Sequence, residues 1–239
     1  MKVLSVKPAG LVAAKFLSVK SARAFFRAGF LCVLVTLSTV VPASFPANAA
    51  IERPVLSSAD QAAVNRIEAY LNDLGTLKSR FLQASSRGNY AEGTFYLSRP
   101  GKMRIEYDPP IKFLIVADGT WLMYLDKELD QLTHLPLGST PADILIEDNI
   151  SFLTGDLVVT KIERTPGVLS VTLIRKDEDG GQLTLIFADK PLELKKWIVV
   201  DAQGVKTSVS LLSSERDVSI DPKLFNIKLR PSKQPLGEH

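Results

Sequence analysis

Apolar and polar residues recur along the chain with two different periods, and the change between them falls near Leu77. Upstream, Val64, Ile67, Leu71 and Leu74 return at intervals of three and four behind Ser58-Ala59-Asp60-Gln61, which reads as a capping box. That spacing predicts an amphipathic helix of about four turns, closed near Gly75, whose stripe needs a surface to cover. Downstream the period becomes two. Candidate strands run over 77–86, 91–99, 102–108, 112–118, 120–126 and 129–135, then over 156–164, 167–175, 181–188, 192–200 and 204–212. The breaks between them carry turn chemistry, as at Arg99-Pro100-Gly101, Asp108-Pro109-Pro110, Asp118-Gly119, Thr165-Pro166-Gly167, Asp179-Gly180-Gly181 and Gln203-Gly204. Eleven strands at such spacing predict an antiparallel meander curled into a barrel or half-barrel.

Parity along these strands places apolar side chains on one face. Phe95, Leu97 and Arg99 alternate with Thr94, Tyr96 and Ser98, and Met103, Ile105 and Tyr107 alternate with Arg104 and Glu106. Leu169, Val171 and Leu173, then Leu183, Leu185 and Phe187, then Val205, Val209 and Leu211 continue the pattern. A curled sheet of this width encloses either a packed core or a lipid-sized cavity.

The segment Leu135–Gly155 interrupts the alternation. Thr140-Pro141 ahead of Ala142, Ile144, Leu145 and Ile146 predicts a short helix with proline at its first position. Asp148 to Leu153, with Ile150 and Phe152, predicts a second one, ended by Gly155. Neither is long enough to be stable alone. They are either structural plugs of the barrel mouth or a lid that opens at low cost.

Charge divides the chain of 239 residues into two parts. The net charge of +3 hides an asymmetry, because residues 1–49 hold Lys2, Lys7, Lys15, Lys20, Arg23 and Arg27 and no acidic residue. The rest has 23 basic against 26 acidic side chains. A basic stretch, an apolar run over Ala28–Val41 and the small-residue close Ala47-Asn48-Ala49 form a secretory signal with cleavage after Ala49. Its run of about 14 apolar residues falls short of the ~20 that span a bilayer. Cys32, the single cysteine, lies early in that run rather than behind a small residue after it, so no lipid-accepting cysteine is expected. Residues 50–239 are then one exported domain without disulfides.

Catalytic chemistry is sparse. His134 and His239 are the two histidines of the sequence, which excludes a histidine metal cluster, and neither a nucleophile elbow nor a phosphate-binding glycine motif occurs. No metal or cofactor is expected, and Asp177-Glu178-Asp179-Gly180 reads as a charged hairpin tip rather than a calcium loop. Basic residues form no patch interleaved with aromatics, so nucleic acid is not an expected partner. Arg99 stands out. Either its guanidinium turns inward and needs acceptors, such as the free carbonyls of a lid helix, or it turns into water at the strand end.

Four stretches carry a resemblance: GTFYLSRPGKMRIEYDPP over 93–110, VADGTWLMYLDKELDQLTHLPL over 116–137, the Thr-Pro lid segment, and DPKLFNIK over 221–228. Together they resemble the LolA family of periplasmic lipoprotein carriers. The resemblance implies an incomplete antiparallel β-barrel of about eleven strands with a helical lid over a hydrophobic cavity. It implies acyl-chain contacts at Phe95, Leu97, Met103, Ile105, Tyr107, Ile144, Leu145, Phe152 and Leu153, and a lid-closing role for Arg99 through helix carbonyls. Met103 stands where many relatives have an aromatic residue. Implied partners are lipoprotein acyl chains, a LolCDE-type inner-membrane transporter and a LolB-type outer-membrane receptor, with the protein a periplasmic monomer and no enzyme. The alternatives are a LolB-like or lipid-sensing half-barrel and a secreted hydrolase using His134.

Overall fold

The computed structural model describes residues 55–154, 157–175 and 181–227. The expected leader over 1–49, Gly155, the Asp177–Gly180 tip and the 230–239 tail lie outside them.

Helix α1 (Ser58–Asp73) leads, and it is capped one residue earlier than the pattern indicates: Ser57 Oγ accepts from the Asp60 N–H at 3.1 Å. A serine at either position satisfies the pattern, and the chain uses the one whose backbone is still extended. Ala63, Val64, Ile67, Tyr70 and Leu71 form the buried stripe. Eleven strands follow, β1 (Thr76–Ser85), β2 (Tyr90–Ser98), β3 (Lys102–Tyr107), β4 (Phe113–Asp118), β5 (Trp121–Asp126) and β6 (Gln131–Pro136), then β7 (Leu157–Thr165), β8 (Val168–Arg175), β9 (Gln182–Asp189), β10 (Leu192–Val200) and β11 (Lys206–Arg216).

All eleven belong to one antiparallel sheet of order β6-β5-β4-β3-β2-β1-β11-β10-β9-β8-β7. Two meanders are thus joined where β1 pairs with β11, and β6 and β7 are the two free edges of an unclosed barrel. Bulges at Arg80/Phe81, Val159/Lys161 and Leu194/Lys196 bend the strands and curl the sheet. The segment between Pro136 and Leu157 connects the free edges and therefore crosses the open side. Its first part is a 3-10 helix, Pro141–Ile146. The helix expected over 148–153 does not form. That stretch is an irregular chain with a turn at Phe152–Thr154, because its backbone is held by distant side chains rather than by its own ladder.

The main core fills the concave side, where Phe81, Phe95, Phe152 and Phe187 are buried beside the helix stripe. Edge-on ring pairs, Phe81–Tyr107 at 5.4 Å and Tyr70–Phe187 at 5.7 Å, knit helix and strands together. The expectation of a single apolar face holds only in part. Strands β4 and β5 are buried on both faces, since Leu114, Val116, Met123 and Leu125 pack on the convex side against Phe225. Residues 217–227, with a 3-10 turn at Pro222–Phe225, form a strap there, tied by Arg104 Nη1 donating to the Leu224 carbonyl at 2.9 Å.

Candidate functional site

Phe95, Leu97, Met103 and Tyr107 project from β2 and β3 into the same buried cluster as Ile144, Leu145 and Phe152 of the crossing segment. Ile105 and Leu153 are half-buried and pack against it. The sheet's alternation delivers the first set, and the 3-10 helix with the chain after it delivers the second. All nine predicted apolar residues therefore meet, with the crossing segment seated on the concave face. Burial pushes the Tyr107 and Tyr124 phenols far above their ordinary range, with Tyr107 Oη donating to Gln83 Oε1 at 2.9 Å.

Arg99 follows the last residue of β2, held there by its N–H donating to the Gly75 carbonyl at 2.8 Å. Its side chain turns to the crossing segment and not to water. Nε donates to the Glu147 carbonyl at 3.1 Å, Nη2 donates to the same oxygen and to the Asp148 carbonyl at 3.2 Å, and Nη2 also reaches Asn72 Oδ1 at 3.5 Å. Two residues on, the Gly101 N–H donates to the Ile146 carbonyl at 2.7 Å. One turn of chain thus takes three successive carbonyls, Ile146, Glu147 and Asp148, at the place where a helix leaves its acceptors open and partly negative. Partial burial lowers the guanidinium pKa, while Asp148 and Glu147 act in the opposite direction. Nη1 is buried, and among the described residues no group accepts from it.

A second arginine approaches from the far half of the sheet. Arg175 at the end of β8 pairs with the Glu147 carboxylate at 3.3 Å, so Glu147 is gripped by its main chain from β2 and by its side chain from β8. Within the 3-10 helix, Asp143 is buried and accepts from the Gly138 and Thr140 N–H groups at 2.9 and 3.1 Å and from Thr140 Oγ1 at 2.7 Å. Burial raises its carboxyl pKa more than those hydrogen bonds and Arg175 lower it. Among the described residues no group of three His, Cys, Asp or Glu is placed to hold a metal, and no helix is long and apolar enough to cross a membrane. His134 of β6 lies with its ring edge-on to Trp121 at 6.2 Å.

Residues 72–228 match the family described as outer membrane lipoprotein carrier protein LolA. The chain belongs to the LolA family. The matched span contains Asn72, Arg99 and the whole crossing segment, which is hereafter the lid. Among its LolA-family relatives, the outer-membrane lipoprotein carrier protein of Methylococcus capsulatus is 29% identical over 183 residues, covering 71% of this chain and 85% of the relative. The protein of the same description from Cupriavidus taiwanensis is 34% identical over 179 residues, covering 70% and 84%. A solved LolA superfamily protein from Nitrosomonas europaea superposes with a TM-score of 0.39 at 12% identity, covering 69% of this chain and 97% of that one.

The sequence marks Arg99 and the apolar residues that meet here, but nothing in it marks Glu68, Asn72, Gly101 or Arg175 as their partners. Glu68 and Asn72 stand four apart beside the apolar stripe of α1, a spacing visible in the sequence. Nothing local marks what they meet.

Proposed function

We propose that this LolA-family protein carries acylated lipoproteins across the periplasm, sheltering their acyl chains against the concave face beneath the lid. The observation that carries the reading is the capture of three consecutive lid carbonyls by the Arg99–Gly101 turn over an apolar interior. An acyl chain gains about 0.8 kcal/mol per buried CH₂, so its release into water is prohibitive and transport needs a shielded interior. Yet a carrier must also let go. Closure of the lid on its own apolar residues competes with cargo for the same surface, which lowers net affinity and favours release.

On this reading residues 1–49 are a cleaved leader, and 50–239 act as a single monomeric domain with no enzymatic step. Cargo is received from a LolCDE-type inner-membrane transporter and delivered to a LolB-type outer-membrane receptor. Phe95, Leu97, Met103, Ile105 and Tyr107 line the acyl site from the sheet, and Ile144, Leu145, Phe152 and Leu153 vacate it with the lid. The test is binding of a fluorescent palmitoyl ester, displaced by a triacylated lipopeptide. Saturable, displaceable binding that survives His134→Ala supports the carrier. Absence of binding overturns it.

A further inference from the structure

Ile150 is buried in the irregular part of the lid, where its backbone N–H and C=O have neither helix nor sheet to pair with. Both go to one side chain. Asn72 Nδ2 donates to the Ile150 carbonyl at 3.0 Å, and the Ile150 N–H donates to Asn72 Oδ1 at 2.9 Å. The carboxamide pairs with the lid backbone as a neighbouring strand's peptide group would. One helical turn earlier, Glu68 Oε1 accepts from the Phe152 N–H at 2.5 Å. Residues 68 and 72 share one face of α1, and their spacing along the helix matches the two-residue step of the lid backbone they hold.

Helix α1 is itself fixed to the sheet. Arg66 pairs with Asp189 at 3.0 Å, Arg164 with Asp60 at 2.7 Å and Arg216 with Asp73 at 3.2 Å, and the Leu194 N–H donates to Tyr70 Oη at 3.1 Å. These partners lie on or beside β7, β9, β10 and β11, so the helix is a rigid post rather than part of the lid. Asn72 Oδ1 also receives the Arg99 guanidinium, so the two grips meet at one oxygen.

We propose that Asn72 and Glu68 form a second latch, which reads the lid backbone at Ile150 and Phe152 and, together with Arg99, sets how readily acyl chains enter. They are positioning residues, acting on cargo through the lid, and the inference rests on the carrier reading above. The test uses Asn72→Ala and Glu68→Ala in the purified protein, with Asn65→Ala, elsewhere on α1, as control. Amide hydrogen exchange at Ile150 and Phe152 is read beside affinity for the palmitoyl ester. Both lid amides exchange about 10-fold faster or more in the two variants, while Leu97 in β2 keeps its protection. The ester binds about 5–30-fold tighter, because the closed state competes less. Glu68→Gln, which keeps an acceptor oxygen, stays within about twofold of the parent. Unchanged lid exchange, or faster exchange without tighter binding, overturns the latch. Should the parent bind no ester, the carrier reading fails, and the exchange comparison alone then decides whether the latch exists. If Asn72→Ala does not fold, Glu68→Ala carries the decision.

Discussion

Arg99 holds the lid backbone through one planar group. A guanidinium presents several donors in a fixed fork, so a single side chain serves two carbonyls and the Asn72 carboxamide at once. A lysine in its place would retain the charge and lose the fork. Arg99→Leu removes every one of those hydrogen bonds and leaves the Glu147 and Asp148 carbonyls with fewer partners. The lost hydrogen bonds are offset in part by the guanidinium desolvation that leucine does not incur, and a net loss of about 1.5–3 kcal/mol lowers the closed-to-open ratio by about one to two orders of magnitude. The expected result is a protein that loads acyl probe more tightly and surrenders it poorly to acceptor vesicles. Parent-like transfer by Arg99→Leu would remove Arg99 from the mechanism. Gly101 limits what else this turn can be. Its φ is +78°, and a Cβ there would lie 2.9 Å from Gly119 Cα, so the turn that docks on Ile146 is fixed by two glycines in contact.

At the scale of elements, the same logic governs Gly93 in β2. It pairs with Phe81 on one side and Tyr107 on the other, and the edge-on ring pair closes over it. An added Cβ would lie 2.1 Å from the Glu106 carbonyl oxygen and 2.7 Å from Phe81 Cε1, and the carbonyl belongs to the β2–β3 pairing. Gly93→Ala should therefore cost about 3 kcal/mol or more, seen as a lower urea midpoint with the slope unchanged. Most elements were legible in the sequence because hairpins carry their own signals, alternation for each strand and turn residues between them. The failures share a cause. Strand β11 continues through Ser213 to Arg216, four residues beyond its apolar alternation, because β1 supplies a ladder from Leu77 to Arg80. The stretch 148–153 has helix-like apolar spacing, yet its hydrogen bonds go to α1, which lies 78 residues away along the chain for the Asn72–Ile150 pair. The convex strap escaped notice because Phe225 stands in too short a segment to show a period. In each case a partner remote in sequence decides a local conformation. The candidate site divides the same way: parity marks the apolar residues of β2 and β3, the family resemblance implies the lid residues and the role of Arg99, and the groups that grip the lid from α1 and β8 have no local signature.

The whole molecule is a sheet with two free edges and one connection that must cross between them, so lid and barrel cannot be separated without cutting the chain. On the carrier reading proposed above, this makes the buried carboxylate of Asp143 a means for pH to act on lid closure. In the closed state its surroundings are the Gly138 and Thr140 donors, the Arg175 guanidinium from β8 and the Tyr124 phenol from β5. Burial is the largest influence and raises its pKa above the ordinary 3.8, so the closed lid holds this proton more tightly than an open one would. The contribution of Asp143 to closure is thus fully present below the ordinary value and is lost as pH rises through the raised one. Asp60 and Asp108 shift the other way: the Ser57 hydroxyl and Arg164 hold the first low, and Arg80 the second. Their contribution to the fold is present above the ordinary value and declines only as pH falls below it, so the two effects occupy different windows. Affinity for a non-titrating palmitoyl ester, measured from about pH 7 down to about pH 4, should weaken as closure strengthens. Asp143→Asn, which carries no charge at any pH, should flatten that dependence. A slope that persists unaltered in the asparagine variant would place the pH sensitivity outside the lid.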